Sequence, residues 1–225
     1  MKKLIKKKYN LTVVATDVAI FTIKDGELNI LLIKMQKKPF LKQWALPGGL
    51  VTVDESVDSS AKRHLFSKTG LKKIFLEQLY SFGEVNRDIF GRVVSVAYFA
   101  LIPNVDLVLK TTKEYGGVDW FPVNSLPKLA YDHKEIVSVA VSRLRNKIEY
   151  TNIVYSLLPK EFTLKQLQDV YEIILNKTVD KRNFRKKFLS LGLITKTANF
   201  TTGGTHRPAQ LYTFKNKKPQ EVNTL

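Results

Sequence analysis

Three positions within residues 49–71, GLVTVDESVDSSAKRHLFSKTGL, have the spacing of a metal site but not its chemistry. Positions 64, 67 and 68 are related as i, i+3 and i+4, so on a helix their side chains crowd one face. Three carboxylates there would make an oxygen-rich site for magnesium, which can clamp a diphosphate and activate water. The chain instead presents His64, Ser67 and Lys68: an imidazole, a hydroxyl and an ammonium. An ammonium about 4 Å from an incoming cation opposes it by roughly 4 kcal/mol per unit charge at an effective dielectric of about 20. Glu55 remains, but one carboxylate rarely holds a catalytic magnesium, and Thr52 to Glu55 also fits a capping box. No catalytic residue, metal ligand or cofactor is therefore expected.

A helix over about 54–69 must carry that face, with Val57, Ala61 and Leu65 on its buried side; a solvent-facing His64 is one reading of that residue. Upstream, 12–23 (TVVATDVAIFTI) and 28–35 (LNILLIKM) are β-branched runs around Asp25-Gly26, a strong hairpin signal. After a loop comes Trp44-Ala45-Leu46-Pro47-Gly48-Gly49, whose glycines suit a close backbone path beside a ligand or into the helix. Runs at 74–86 and 92–102 flank a turn at 87–91. A strand near 118–123 precedes a helix starting at position 132. These elements predict a mixed sheet packed between helices over residues 10–150.

The pattern changes from residue 151. Thr163 can cap a helix whose Leu167, Val170, Tyr171 and Ile174 form one stripe, and Asp180 can cap a second, DKRNFRKKFLSLG, ending at Gly192. Strands at 193–197 and 210–214 surround a turn at Gly203-Gly204. Helix, turn, helix and hairpin predict a winged helix-turn-helix over 151–225. At about 100° per residue, Phe184, Phe188 and Leu191 share one arc of the second helix, and Arg182 and Lys186 point away, flanked by Asn183 and Arg185. Such a face offers the donors that phosphates and base edges accept; an ordinary solvated helix face is the alternative. Candidate DNA-binding residues are Thr163, Lys165 and Gln166 on the first helix, Lys181, Arg182, Asn183, Arg185 and Lys186 on the second, and Thr205, His206 and Arg207 in the hairpin.

A net charge of +17 over 225 residues implies a polyanionic partner or an anionic surface. Lysines 2, 3, 6, 7 and 8 form either a solvated tail or an arm touching phosphates. Asp17 interrupts the longest apolar run, so none reaches bilayer length, and the basic start lacks the apolar stretch of a signal peptide. Without cysteine there is no disulfide framework. The expectation is a soluble, cytoplasmic protein with no membrane partner.

Residues 49–71 resemble the Nudix box, Gx5Ex7REUxEExGU, with Gly49, Glu55, Arg63, Leu65, Gly70 and Leu71 in place and the metal-binding glutamates replaced. The segments WALPGG, SFGEVNRD, GRVVSVAY, YDH, DKRNFRKK and RPAQLYTF stand in the order found in Nudix-related transcriptional regulators of the NrtR and AraR types. The resemblance implies an α/β fold, a Nudix-like α/β/α sandwich followed by the winged helix-turn-helix. It also implies a homodimeric repressor that binds a double-stranded DNA operator and senses ADP-ribose, a related nucleotide or a sugar. Effector candidates beside the former substrate site are Trp44, Gly49, Arg63, Glu84, Arg87, Arg92, Asp132 and His133. Structural readings compete: Trp44 in the core, Arg87 and Arg92 bracing a turn, Asp132 as N-cap with Glu135 three residues on, His133 in the capping region. Lys68 and Arg63 favour an anionic effector. The alternative function is a Nudix hydrolase with a non-standard metal site built on Glu55 and Glu84; a third is a nucleic-acid binder driven by charge alone.

Overall fold

The computed structural model describes residues 11–72, 74–103, 109, 115–202 and 208–224. β1 (Val13–Lys24) and β2 (Glu27–Met35) are joined by Asp25 and Gly26 at φ 52° and 77°, the paired positive angles of a tight hairpin turn. Both strands are buried over most of their length, which is why they read as continuous apolar runs rather than alternating ones. They lie at the centre of a seven-stranded sheet of order β3-β2-β1-β6-β5, in which β3 is Trp44–Ala45, β5 is Phe75–Phe82 and β6 is Val93–Leu101. β4 (Gly48–Leu50) pairs antiparallel with β1, setting Gly48 opposite Asp17 and Gly49 opposite Thr16. β7 (Tyr115–Pro122) pairs antiparallel with β2. It begins earlier than position 118 because pairing continues through Gly117 and Tyr115 across an irregularity at Lys34/Met35.

The first helix, α1, spans Val57–Thr69 rather than starting near 54. Ser56 is its N-cap, accepting the Ser59 amide, and Gly70 at φ 72° closes it. Thr52 and Glu55 are therefore no helix cap; the Glu55 carboxylate accepts the Thr52 amide at 3.0 Å and ties off the loop before the helix. The buried side of α1 comprises Ser60, Ala61, His64, Leu65, Lys68 and Thr69, while Val57 is half-buried. A solvent-facing His64 is thus corrected: this side turns inward, and His64 and Lys68 go with it.

α2 (His133–Tyr150) is divided between the two compact units of the chain, the change falling at Ser142, and the second unit also takes in Thr22–Leu28. In the second unit a 3-10 turn (Ile153–Ser156) leads to α3 (Leu164–Leu175) and α4 (Lys181–Ser190), followed by β8 (Ile194–Phe200) and β9 (Gln210–Phe214). Thr163 and Gln166 form a full capping box at the start of α3, and Asn176 ends it in the left-handed region. The turn into α4 is fixed by Glu172, whose carboxylate accepts the Val179 amide and the Gln168 side chain, both at 3.0 Å. Tyr171, Phe184 and Phe188 pack as a triangle of rings with centroids 4.9–5.3 Å apart. Buried aromatic rings of this kind contribute about 1.5–3 kcal/mol each. β8 and β9 pair antiparallel, and Phe162 bridges to Tyr212 as a third short edge. The chain end returns to α2, where the Val222 and Thr224 amides donate to the carbonyls of Tyr150 and Glu149.

Candidate functional site

β1, β4 and the start of α2 converge on a cavity of about 570 Å³ in the first unit. Its position follows from one sequence feature: Asp17 is a charged residue in an otherwise apolar, buried strand, so it must find partners. Ser95 donates to it at 2.6 Å, His133 Nε2 stands 3.4 Å away, and Arg87 lies 3.6 Å away. Arg87 in turn grips Asp132 with two parallel hydrogen bonds of 2.7 Å each. Both Asp132 oxygens are thus engaged by arginine rather than by helix amides, so Asp132 is a half-buried ion-pair partner. Gly48 passes so close over this network that a Cβ there would meet Asp17 Oδ1 at 2.3 Å and the Thr16 carbonyl at 2.5 Å. The double glycine of the sequence is required by that close approach.

Protonation states follow from the same contacts. Burial works against the Arg87 charge, but the Asp132 hydrogen bonds and negative charge raise its pKa above the ordinary value. Burial lowers the His133 pKa, against the pull of Asp17 and Asp132. Its Nδ1 accepts the Leu46 amide at 2.9 Å, so the neutral ring carries its proton on Nε2, facing Asp17. His64, also buried, is lowered to about 4 by desolvation and then by the charge of Arg63. Both rings are therefore neutral in the fold and protonatable in the unfolded chain. Below about pH 6.5 the unfolded state binds more protons, so stability falls with falling pH, by up to about 1.4 kcal/mol per pH unit for each histidine. Urea unfolding at about pH 7.5 and about pH 5.5 should show a lower midpoint at the acidic value; an unchanged midpoint would contradict the buried neutral rings.

Of the residues expected at an effector site, Gly49, Arg87, Arg92 and His133 line the cavity, and Asp132 sits behind Arg87. Arg92 spans the turn by donating to the carbonyls of Gly83 and Glu84, the bracing role the sequence allowed. Trp44 packs edge-on against Phe121, with Lys34 over its ring, and Glu84 is exposed; neither lines the cavity. Arg63 is tied to Glu55 by a 2.5 Å ion pair, and those hydrogen bonds lower the Glu55 pKa to about 2. Sequence reasoning missed Asp17 as a site residue, together with Tyr115, Tyr131 and Phe90 on the wall. The lone aspartate in an apolar strand was the available signal; Tyr131, at φ 53° and stacked against His133, gave none.

The face of α1 fits magnesium poorly. Ser67 Oγ donates to the His64 carbonyl at 2.9 Å, Lys68 is buried with its ammonium 4.1 Å from the Tyr115 ring centre, and Glu55 is held by Arg63. Among the described residues no group of three His, Asp or Glu side chains could hold a metal.

In the second unit Lys181, Arg182, Asn183 and Lys186 are exposed on α4, Arg185 is half-buried, and Phe184 and Phe188 face inward as the helical wheel requires. Leu191, expected in the inward arc, is the half-buried C-cap. On α3 the side chains of Thr163 and Gln166 are engaged in the capping box, and Lys165 pairs with Asp169 on the surface. Thr205, His206 and Arg207 lie outside the described residues. No helix among the described residues is long and apolar enough to cross a membrane.

A model of the NUDIX domain matches residues 13–139, and one of the NrtR DNA-binding winged helix domain matches residues 154–214. The chain is 38% identical over 213 residues to the ADPR responsive transcriptional repressor NtrR of Acinetobacter baylyi, covering 93% of this chain and 84% of that protein. It is 34% identical over 140 residues to the ADP-ribose pyrophosphatase of Methanocaldococcus jannaschii, covering 60% of this chain and 81% of that protein. The crystal structure of Shewanella oneidensis NrtR with a 27mer DNA superposes with a TM-score of 0.77 at 31% identity, covering 90% of this chain and 93% of that one. The NUDIX domain of the same Shewanella protein, crystallised with ADP ribose, gives a TM-score of 0.54 at 29% identity, covering 64% and 99%.

Proposed function

Because the chain belongs to the NrtR family, in which a Nudix domain is joined to a DNA-binding winged helix, we propose that it is a transcriptional repressor. In this reading residues 151–225 bind a double-stranded operator as a homodimer, and residues 10–150 sense ADP-ribose. The observation that carries it is the outward face of α4, where Arg182, Lys186 and Asn183 are exposed behind a rigidly capped α3. The helix N-terminus adds its own positive potential to that face, and N-terminal residues of such a helix are the ones that reach base edges.

The effector side rests on the cavity that Arg87, Arg92 and His133 line, and on the relatives whose names specify ADP-ribose. The Nudix half binds its ligand without cleaving it: the box presents an ammonium and a neutral imidazole where hydrolysis would need a magnesium-bound water. Control requires ADP-ribose to bind the operator-competent and released states with different affinity. The test is an electrophoretic shift with the DNA upstream of the protein's own gene, with and without ADP-ribose. A sequence-specific shift that ADP-ribose reverses is the expected outcome. Equal binding to operator and random DNA, with identical salt dependence, would leave only a charge-driven nucleic-acid binder. Magnesium-dependent turnover of ADP-ribose, abolished by Glu55→Gln, would make the protein a hydrolase.

A further inference from the structure

Resting on the ADP-ribose-sensing reading above, we infer that Arg92 is the cation that meets the effector's diphosphate, while the charge of Arg87 is spent on the protein's own carboxylates. A diphosphate diester is a dianion, and a wall that binds it must offer positive charge that the protein has not already matched. Arg87 and Arg92 are the arginines that line the cavity, and the buried His133 ring is neutral. Arg87 donates to both oxygens of Asp132 at 2.7 Å and lies 3.6 Å from Asp17, so its one positive charge serves two carboxylates. Asp88 adds a further carboxylate to the wall. Arg87 can therefore give a ligand a hydrogen bond but no net charge. Without a second cation the cavity would repel a dianion.

Arg92 is placed differently. Its Nη1 donates to the carbonyls of Gly83 at 2.7 Å and Glu84 at 3.0 Å. These acceptors are neutral, so they orient the guanidinium without cancelling its charge. Arg92 forms no ion pair with a carboxylate among the described residues, and the Glu84 side chain is exposed. Nη1 has given its hydrogens to the carbonyls, which leaves Nε and Nη2 as a fork of the geometry that phosphate oxygens accept. The backbone beneath is pinned as well. The Val13 amide donates to the Arg92 carbonyl at 3.0 Å, and the Asp88 side chain accepts the Phe90 amide at 2.8 Å. Arg92 is half-buried, so its charge is screened less than one on an open surface. Bracing two carbonyls needs donors but no charge, whereas holding a diphosphate needs both.

The experiment is calorimetric titration of the full chain with ADP-ribose, comparing the unaltered protein with Arg92→Gln, which keeps an N–H donor for the turn but removes the charge. Affinity should fall by about tenfold or more, with the thermal midpoint within about 2 °C of the unaltered protein. Salt dependence is the readout that bracing alone would not move. ADP-ribose affinity should decline as ionic strength rises, and decline less steeply in Arg92→Gln. Arg92→Lys keeps the charge but loses the fork, so its affinity should fall between the two. Affinity of Arg92→Gln within about twofold of the unaltered protein, or an unchanged salt dependence, overturns the inference. Should Arg92→Gln fail to fold, Arg92→Lys decides, and an affinity equal to that of the unaltered protein overturns it. Inorganic pyrophosphate serves as a second probe. Arg92-dependent pyrophosphate binding without ADP-ribose binding would keep the anion site and remove ADP-ribose as effector; no binding of either would overturn both.

Discussion

Replacing Arg182 and Lys186 together by alanine is expected to lower operator affinity by about a hundredfold, while leaving ADP-ribose binding and thermal unfolding unchanged. Each side chain is exposed and projects from the side of α4 opposite Phe184 and Phe188, so its removal opens no cavity and exposes no apolar surface. A lost contact to a base edge costs about 1–3 kcal/mol, and a lost phosphate contact also lowers the salt slope by about one. The two single substitutions can therefore be told apart. A residue reading a base edge relaxes sequence preference at one position, and one touching phosphate weakens operator and random DNA alike. Fluorescence anisotropy at several salt concentrations measures both effects. An affinity within about twofold of the unaltered protein would show that a different surface meets the DNA.

That face was legible in the sequence because helical geometry alone determines it: once Phe184 and Phe188 are inside, Arg182 and Lys186 must be outside. The hairpin of β1 and β2 was legible for the same reason, since Asp25-Gly26 supplies the two positive φ angles its turn needs. The effector site was legible only in part. Arg87, Asp132 and His133 were named, but as separate candidates with turn, cap and capping-region readings. Asp17, the partner shared by Arg87 and His133, lies on a strand far from them in sequence, and spacing along the chain carries no record of such a contact. The inward turn of His64 and Lys68 was hidden for a different reason. Both are polar, so a pattern of apolar residues assigns them to the outside, whereas burial follows from the strands packed over α1. The capping roles of Thr163 and Gln166 could be read from their spacing, yet the same residue types also suit phosphate contacts, and only the hydrogen bonds separate the two uses.

Arg87→Ala should be the most damaging single change in the first unit, costing about 3–5 kcal/mol of stability together with effector binding. Arg87 is almost fully buried, and its guanidinium is the partner of both oxygens of Asp132 as well as the nearest cation to Asp17. Removing it leaves the buried Asp17 and half-buried Asp132 carboxylates without the cation they share. Lysine does not repair this, because a point charge cannot reproduce two parallel hydrogen bonds to one carboxylate. The pair itself is a different matter. Arg87→Met with Asp132→Leu removes the unmatched charge along with its partner, and the double variant should regain much of the stability lost by either single change. It should not regain ADP-ribose binding, because the cavity then lacks the guanidinium on its wall. Urea unfolding of the four proteins in the cycle, followed by titration of each with ADP-ribose, separates the two roles. Recovery of stability without recovery of binding assigns Arg87 to the ligand, and recovery of both would reduce it to scaffolding. A loss below about 1 kcal/mol in Arg87→Ala would mean that Asp17 and Asp132 are not held as a buried network at all.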